Sequence, residues 1–255
     1  MTALEPRAVE GLAGRRVLVT GGAGFIGSTL CHTLARSGAD VTVYDNLATG
    51  SLDNLRDGAE VPPPRFLHGD VRDRERLARV LGGVDVVYHL ACLGVRHSIH
   101  SPHENLDVNA RGTLTVLTQA LEARPARVVH VSSSEVYGTA RTVPMSEDHP
   151  TDPSTVYGAG KLAGECCARA LHRCDGLDVV VLRPFNAYGP GSHFEGDSGE
   201  VIPRFVVRAL SGEPLVVFGD GTQTRDLSHV HDTAATIARA GVVEGIAGRT
   251  LNIGT

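Results

Sequence analysis

Tryptophan is absent from this sequence, and aromatic residues of all kinds make up only 4% of it. Glycine and proline are plentiful by contrast, with 30 and 13 residues. This composition suits the many tight strand-to-helix turns of an α/β protein better than an all-β sandwich. With 42% hydrophobic and 21% charged residues, the 255-residue chain can bury a full core, so we do not expect disorder.

Cysteine is sparse too, and no Cys-x-x-Cys pair is present. The five cysteines are Cys31, Cys92, Cys166, Cys167 and Cys174. An odd number without metal-type or redox-type spacing predicts a reduced chain in the cytoplasm rather than a disulfide framework. We interpret the adjacent Cys166 and Cys167 as small buried hydrophobes rather than a redox-active pair.

The sequence also lacks long apolar runs and a strong excess of either charge. Residues 1–15 contain charges and no apolar stretch, so they do not resemble a secretory signal, and no later run reaches membrane-spanning length. The formal net charge of -5 gives no broad attraction to nucleic acid or to an anionic membrane. We therefore expect neither partner, and any bound phosphate must be held by local groups.

Short β-rich runs alternate with helix-like stretches through most of the chain. The predicted strands are 16–20, 41–45, 84–90, 128–132 and 179–182, and the predicted helices are 28–37, 74–81, 105–123 and 155–172. The strands are nearly continuous apolar runs, as expected where helices cover both faces of a parallel sheet. The repeated β-α order predicts an α/β fold with a doubly wound parallel sheet of the Rossmann type.

This rhythm changes after residue 184. A loop rich in glycine and acidic residues over 186–200 precedes a predicted helix at 201–211 and a predicted strand at 215–218. We interpret 1–184 as the main domain, 185–228 as a small second lobe, and 229–255 as a return of the chain to the main domain. No capping segment follows the strand-like run at the end, so we expect the second lobe to be C-terminally truncated.

A glycine-rich segment directly follows the first predicted strand and opens a helix. Gly21, Gly24 and Gly27 allow a tight turn, close approach of the backbone to a pyrophosphate, and close helix-strand packing. Asp45 ends the second strand, 18 positions after Gly27, where a carboxylate can accept hydrogen bonds from an adenosine ribose. Such a carboxylate repels a 2′-phosphate, so the pattern predicts NAD rather than NADP, unless Asp45 only begins the following turn.

Asp70 and Val71 follow a further short strand-like run, which lies between the predicted strands at 41–45 and 84–90. There Asp70 can receive the adenine amino group, and Val71 can pack against the adenine ring. Either residue is also suited to begin a helix, so both interpretations stay open.

Tyr157 and Lys161 lie four positions apart at the start of a predicted helix, so both side chains emerge on one face. A nearby ammonium favours the phenolate, which lowers the pKa of a tyrosine and makes it a usable general base. Ser133, just beyond the predicted strand at 128–132, is placed to hydrogen-bond the same substrate oxygen. A tyrosine followed by a lysine one turn later is also common as a surface pair, so the prediction depends on the combination with Ser133 and the glycine turn.

Eight segments of this chain resemble the extended short-chain dehydrogenase/reductases that act on nucleotide sugars, a group of epimerases, 4,6-dehydratases and decarboxylases. They are TGGAGFIGS at 20–28, YDNL at 44–47, HLA at 89–91, VN at 108–109, SSSEVYG at 132–138, YGAGK at 157–161, RPFNAYGP at 183–190 and QTRD at 223–226. The resemblance runs from about residue 16 to the last residue. It implies an NAD-binding Rossmann domain over 1–184 and a lobe for the nucleotide sugar over 185–228.

The resemblance also implies a role for each matching residue. Tyr157 would be the catalytic base, Lys161 would hold the nicotinamide ribose, and Ser133 would orient the sugar hydroxyl. Asn186 would bind the diphosphate region of the substrate and Arg225 would neutralise it, unless Arg225 is instead in an exposed ion pair with a nearby aspartate. The residues expected to bind NAD are Gly21, Gly24, Phe25, Ile26, Gly27, Asp45, Asn46, Asp70, Val71, Leu90, Ala91, Asn109, Tyr157, Lys161 and Pro184.

Ser134 and Glu135 bear on the branch of the family. The 4,6-dehydratases resembled here carry an acid followed by glutamate, and this chain keeps Glu135 as a catalytic candidate but has Ser134 in place of the acid. UDP-glucuronate decarboxylases resemble the chain at Ser134, Glu135 and Arg225, but residues 92–103 do not resemble their sugar-carboxylate loop. Epimerisation needs only the tyrosine, serine and lysine with NAD, so a 4-epimerase is the expected activity and the other two are alternatives.

In that reaction Tyr157 would take the proton of the sugar 4-hydroxyl while hydride leaves C4 for NAD, and the 4-keto sugar would be reduced again on its other face. A UDP- or dTDP-linked sugar is the expected substrate, and a homodimer formed by the helices at 105–123 and 155–172 is the expected assembly. A non-catalytic NAD-binding protein on the same fold is a further alternative. His97, His100 and His103 are interpreted as a solvated loop, so no metal is expected.

Overall fold

A seven-stranded parallel sheet forms the centre of the protein, in a computed structural model that describes residues 8–56, 63–193 and 199–255. The strands of these residues are β1 (Arg16–Thr20), β2 (Asp40–Asp45), β3 (Arg65–His68), β4 (Val86–His89), β5 (Arg127–Val131), β6 (Val179–Pro184), β7 (Asn186–Tyr188), β8 (Leu227–His229) and β9 (Thr250–Ile253). The large sheet has the order β3-β2-β1-β4-β5-β6-β9, and each neighbouring pair is parallel. The strand order reverses beside β1, which creates a crevice at the carboxyl ends of β1 and β4.

Helices cover both faces of this sheet. They are α1 (Phe25–Arg36), α2 (Arg74–Val80), α3 (Val95–His100), α4 (Pro102–Leu106), α5 (Thr113–Ala123), α6 (Val156–Asp175), α7 (Val201–Leu210) and α8 (Val230–Ala240). Apolar residues of α1 and α8 form one core with one face of the strands, and those of α2, α5 and α6 form a second core with the other face. The predicted doubly wound fold is confirmed. Within the described residues, none of the helices combines the length and the apolar composition that a membrane span requires.

The last part of the chain packs against the main sheet. β9 pairs with β6, and α8 contributes Ile237 to the core that also contains Leu30 of α1. The hydroxyl of Tyr88 on β4 donates a hydrogen bond to the carbonyl oxygen of Ala238 at 2.8 Å. β7 and β8 form a separate two-stranded parallel sheet that contacts α8. The domain boundaries at 184 and 228 remain predictions.

The predicted strand at 215–218 is wrong. Leu215, Val216, Val217 and Phe218 adopt no regular structure and are 46–77% exposed. A short apolar run becomes a strand only where a neighbouring strand completes its backbone hydrogen bonds. Here β8 pairs with β7 instead.

The interpretation of Cys166 and Cys167 as buried residues is wrong. Cys166 is exposed on α6, and Cys167 is half-buried.

The predicted helix at 105–123 is not continuous. α4 is followed by a π-helical segment (Asp107–Gly112), and α5 begins after it. Within the π-helical segment Asn109 points inward, accepts a hydrogen bond from Leu93 N at 2.9 Å and donates one to Leu93 O at 2.9 Å. Such interruptions of a helix often occur beside functional sites, and this one braces the loop that follows β4.

Candidate active site

The glycine turn joins β1 to α1 beside a cleft. Gly21 has a left-handed backbone with a φ of +73°, and a Cβ atom there would lie 2.5 Å from the backbone nitrogen of Ala91. At Gly27 a Cβ atom would overlap the carbonyl oxygen of Gly21. The N-cap of α1 is Gly24, which offers no side-chain cap, so the first N–H groups of the helix suit an anion.

Asp45 lies at the end of β2, next to this turn, and is 9% exposed. Its Oδ2 accepts a hydrogen bond from Ala23 N at 3.0 Å, and its Oδ1 accepts one from Leu47 N at 2.8 Å. The carboxylate thus ties β2 to the glycine turn and also shapes the turn that follows. Each oxygen has a further lone pair, so Asp45 can still accept a hydrogen bond from a ribose hydroxyl.

Asp70 follows β3 and forms an ion pair with Arg72. The Arg72 Nη2 atom is 2.7 Å from Oδ2, and Asn46 Nδ2 donates to the same oxygen at 3.0 Å. The hydrogen bond from the Arg72 side chain is the largest cause that lowers the pKa of Asp70 to about 2. Asp70 is therefore an ionised acceptor at neutral pH, beside the buried Val71.

A cleft of about 900 Å³ runs from the glycine turn to the start of α6. Most of the residues predicted to bind NAD or substrate line it. They are Gly21, Gly24, Phe25, Ile26, Gly27, Asp45, Asn46, Asp70, Val71, Leu90, Ala91, Ser133, Glu135, Tyr157, Lys161, Pro184 and Asn186. The cavity is large enough for a cofactor-sized ligand.

Tyr157, Lys161 and Ser133 meet at the end of the cleft formed by α6 and the segment after β5. The side chain of Ser133 lies close enough to the hydroxyl of Tyr157 to favour its phenolate form. Lys161 is 3% exposed, and its Nζ donates a hydrogen bond to Val131 O at 2.9 Å. The same Nζ atom lies 5.9 Å from the centroid of the Tyr157 ring.

The pKa of Tyr157 is raised in this structure, whereas the sequence predicted that Lys161 lowers it. Burial is the largest cause, the neighbouring Cys92 and Glu135 raise the pKa further, and the hydrogen bond with Ser133 lowers it. The expected effect of the ammonium is absent from these causes, and that ammonium is hydrogen-bonded to a backbone carbonyl. The phenol is neutral at physiological pH. It must release its own proton to solvent before it can accept one, and a positive charge beside it would favour that release.

Ser134 and Glu135 begin a short 3-10 helix (Ser134–Val136), and both line the cleft. Ser133 caps this helix by accepting a hydrogen bond from Glu135 N at 3.2 Å. The cap keeps the carboxylate of Glu135 near Tyr157, where its negative charge raises the pKa of the phenol. The cleft therefore contains one acid from this segment, at position 135, and a hydroxyl at position 134.

Two predicted site residues lie apart from the cleft. Asn109 is 1% exposed, and its side-chain amide forms two hydrogen bonds with the backbone of Leu93. It therefore supports the loop after β4 and does not face a ligand. Arg225 is exposed and donates a hydrogen bond to the carbonyl of the preceding residue at 2.7 Å. Asn186 lines the cleft from β7, and its Nδ2 donates to Asp226 O at 3.0 Å.

The cleft is also lined by charged and thiol side chains that the sequence interpretation did not assign to it, among them Arg72, Cys92 and Glu200. Arg72 and Cys92 both stand just after strand ends that the sequence located, so their position at the carboxyl edge of the sheet was a usable signal. Glu200 precedes α7, and burial raises its pKa to about 7. No comparable signal existed for Glu200, because it belongs to the lobe in which the β-α rhythm is lost.

The three histidines at 97, 100 and 103 are not grouped around one point. His97 and His100 line the cleft, and His97 Nε2 lies 3.4 Å from Glu104 Oε2, whereas His103 is exposed. Within residues 8–56, 63–193 and 199–255, no three or more His, Cys, Asp or Glu side chains are grouped to hold a metal ion.

The geometry of the cleft fits a dinucleotide. The uncapped start of α1 suits a pyrophosphate, and the free lone pairs of Asp45 suit a ribose. The cavity continues from there to Tyr157 and Lys161, so one elongated ligand can reach both groups.

Residues 17–254 match the NAD dependent epimerase/dehydratase family. The chain belongs to this family of enzymes, as the resemblance implied, and NAD is its cofactor. A dTDP-glucose 4,6-dehydratase from Streptomyces niveus is 39% identical over 249 residues, which cover 92% of this chain and 73% of the relative. A UDP-glucose 4-epimerase from Mycolicibacterium smegmatis is 37% identical over 244 residues, which cover 94% and 77%.

The fold is shared with solved structures. The crystal structure of DesIV, a dTDP-glucose 4,6-dehydratase from Streptomyces venezuelae with NAD and TYD bound, has a TM-score of 0.85 and 40% sequence identity. The match covers 94% of this chain and 76% of that one. Relatives named as dehydratases and as epimerases are similar to this chain to nearly the same degree, so overall identity does not separate the two activities.

Proposed function

We propose that this protein is a nucleotide-sugar 4-epimerase. One observation carries the proposal: Tyr157, Lys161 and Ser133 line the same cleft as the glycine turn and Asp45. A proton-transfer group and a dinucleotide site thus share a single cavity. Epimerisation at C4 requires no further acid or base, because the hydroxyl that is oxidised is formed again by the reverse chemistry.

In this proposal each end of the cofactor has its own residues. The start of α1 binds the pyrophosphate, Asp45 binds the adenosine ribose, and Asp70 with Val71 binds the adenine. Lys161 holds the nicotinamide ribose. NAD, when bound, supplies a hydride acceptor and a positive charge near the phenol.

Tyr157 moves the proton in both halves of the reaction. Ser133 orients the sugar 4-hydroxyl, and the Tyr157 phenolate takes its proton as hydride leaves C4. The resulting 4-keto sugar turns in the cleft, and its other face is reduced while Tyr157 returns the proton to the oxygen. The raised pKa of the phenol suits this second half, because a neutral phenol is a proton donor. No second substrate is consumed.

Glu135 supports elimination of water as a second candidate function. Its carboxylate lines the cleft near Tyr157, where it is placed to take a proton from a sugar carbon. A dehydratase also needs an acid for the departing hydroxyl, and the hydroxyl of Ser134 is a poor substitute. We therefore favour epimerisation.

We further propose a UDP- or dTDP-linked sugar as the substrate and a homodimer as the assembly. Asn186 is the proposed contact for the diphosphate region, with 185–228 as the lobe that holds the nucleotide. The helices α5 and α6 are the proposed dimer surface, and the exposed Leu114 of α5 and Leu106 of α4 fit an apolar contact there.

The test is incubation of the purified protein with UDP-glucose, UDP-glucuronate, UDP-N-acetylglucosamine and dTDP-glucose, followed by product mass and sugar NMR. Unchanged mass with inversion at C4 is the expected result. Loss of water would show a dehydratase instead, and loss of carbon dioxide a decarboxylase. The variant Glu135→Gln separates the first two, because it retains epimerisation and abolishes dehydration.

A further inference from the structure

The end of β5 contacts the face of α6 that carries the proposed catalytic residues. Val131 O accepts the hydrogen bond from Lys161 Nζ at 2.9 Å. Two residues later, the side chain of Ser133 lies near the hydroxyl of Tyr157 and lowers its pKa. The relative position of these two elements therefore decides whether the serine reaches the phenol.

Between these two contacts lies a third that the mechanism does not use. Ser132 Oγ donates a hydrogen bond to Glu165 Oε1 at 2.6 Å. Ser132 is 3% exposed and Glu165 is 0% exposed. Glu165 stands four residues after Lys161 and eight after Tyr157, so all three lie on one face of α6. Three consecutive residues of β5 and its extension thus contact three consecutive turns of one helix.

Two arginines hold the carboxylate of Glu165 in place. Arg183 of β6 donates from Nε to Oε1 at 2.9 Å and from Nη2 to Oε2 at 2.6 Å, and Arg169 Nη1 donates to Oε2 at 2.9 Å. Burial alone would raise the pKa of Glu165, but the hydrogen bonds from Arg183, Ser132 and Arg169 lower it overall. A buried ion pair contributes little net stability, but its hydrogen bonds fix the position of the groups it joins.

We propose that Ser132 and Glu165 are positioning residues that hold the end of β5 in register with the catalytic face of α6. This inference rests on the proposed function of Tyr157, Lys161 and Ser133. Without the Ser132 hydroxyl, the hydrogen bond to Glu165 is lost, and the segment that carries Ser133 is attached to α6 less firmly. The hydrogen bond that stabilises the phenolate is then held less firmly.

The groups that face Tyr157 come from three elements. They are Cys92 after β4, Ser133 and Glu135 after β5, and Lys161 on α6. Among the causes that act on the pKa of Tyr157, Ser133 is the one that lowers it. The variant Ser132→Ala leaves all of these side chains in place. Because Ser132 also lines the cleft, unchanged binding of NAD and sugar is needed to assign its effect to positioning.

The experiment is an ultraviolet titration of phenolate in the NAD-loaded protein. Each protein is compared with its own Tyr157→Phe form, so that the difference reports Tyr157. We expect Ser132→Ala to raise the pKa of Tyr157 by about one pH unit and to lower kcat about tenfold at neutral pH, with KM and NAD affinity unchanged. Ser37→Ala is the matched control, because Ser37 is 8% exposed, donates to Thr33 O at 2.7 Å and lies away from the cleft.

An unchanged pKa of Tyr157 in Ser132→Ala would overturn the inference, and so would an equal shift in Ser37→Ala, which would indicate general loosening. Ser132→Ala is a better test than Glu165→Gln, because Glu165→Gln leaves two arginines without a charge partner and therefore lowers the stability of the fold. The pKa shift in Ser132→Ala without any sugar turnover by the wild type would support the positioning role and count against the proposed function alone.

Discussion

The Asp45 side chain has two roles, one in the structure of the glycine turn and one in the proposed binding of NAD. Its two oxygens already accept hydrogen bonds from the backbone of Ala23 and Leu47, and the same carboxylate is the proposed partner of the adenosine ribose. The sequence pattern indicates the role in NAD binding. The hydrogen bond to Ala23 is seen only in the folded structure, where the end of β2 lies beside the glycine turn. The choice of cofactor and the shape of the turn are therefore coupled.

We expect Asp45→Asn to weaken NAD binding about tenfold, since a hydrogen bond to a charged group is worth about 1.5 to 3 kcal/mol. Preference for NAD over NADP narrows as well, because the charge that repels a 2′-phosphate is gone. Titration calorimetry with both cofactors measures the effect. Asp40→Asn, at the exposed first position of β2, is the control and leaves both affinities unchanged. Unaltered NAD affinity in Asp45→Asn would contradict the assignment of Asp45.

Whole elements were predictable where burial alone decides them. The five strands predicted from apolar runs agree with β1, β2, β4, β5 and β6 to within two residues at each end. The prediction of a strand at 215–218 was wrong because apolar composition does not show whether a neighbouring strand is available for pairing. The π-helical segment was not predicted because it depends on the contact of Asn109 with the loop after β4. Strand and helix type follow from local pattern, whereas these features follow from tertiary contacts.

The same distinction applies to the site. Tyr157 and Lys161 share one helix, so their relative position follows from a spacing of four residues and needs no tertiary contact. Arg225 lies on an irregular segment, and Asn109 lies in the π-helical segment, so neither position followed from spacing. The raised pKa of Tyr157 was missed for a related reason, because burial and the approach of Cys92 depend on the assembled cleft.

Two alanine variants of the glycine turn separate its role in the fold from its role in NAD binding. Gly27→Ala places a methyl group against the carbonyl oxygen of Gly21, so we expect a lower melting temperature together with loss of NAD binding. In Gly24→Ala the nearest atom to the new methyl group is Gly21 O at 3.4 Å, so the fold is retained while NAD binding weakens. Thermal unfolding and NAD titration of both variants separate the two effects. Equal melting temperatures for the two variants would contradict this account of the turn.

Two buried histidines connect the stability of the whole molecule to pH. His89 and His130 stack with ring centroids 5.4 Å apart, and both are at most 1% exposed. Burial is the largest cause that lowers their pKa values, that of His130 to about 3. His89 is hydrogen-bonded to Thr20 and Thr113, whereas neither ring nitrogen of His130 has a partner among the described residues.

Both histidines therefore stay neutral in the folded protein at pH values where the unfolded chain protonates them. The unfolded state binds more protons below the ordinary pKa of 6.5, so the free energy of unfolding falls as the pH drops through that value and goes on falling to about pH 3 for His130. Each histidine contributes about 1.4 kcal/mol per pH unit within that window.

The variant His130→Phe keeps an aromatic ring in the stack and removes one of the two contributions. We expect it to reduce the fall in unfolding free energy by about 1.4 kcal/mol for each pH unit over which the histidine is protonated on unfolding. Urea unfolding at about pH 6 and about pH 5 measures this difference. His103→Phe, at an exposed position, is the control and keeps the wild-type slope. A wild-type slope in His130→Phe would show that His130 is already protonated in the folded protein.

In the proposed reaction the Tyr157 phenolate takes a proton from a sugar hydroxyl beside bound NAD. Rapid mixing of the NAD-loaded protein with each nucleotide sugar, followed by the absorbance of reduced nicotinamide, tests it most directly. We expect a transient signal with at least one sugar, lost or slowed at least a hundredfold in Tyr157→Phe and retained in the control Tyr88→Phe, with NAD binding intact in all three. No reduced nicotinamide with any nucleotide sugar, or an undiminished signal in Tyr157→Phe, would contradict the account.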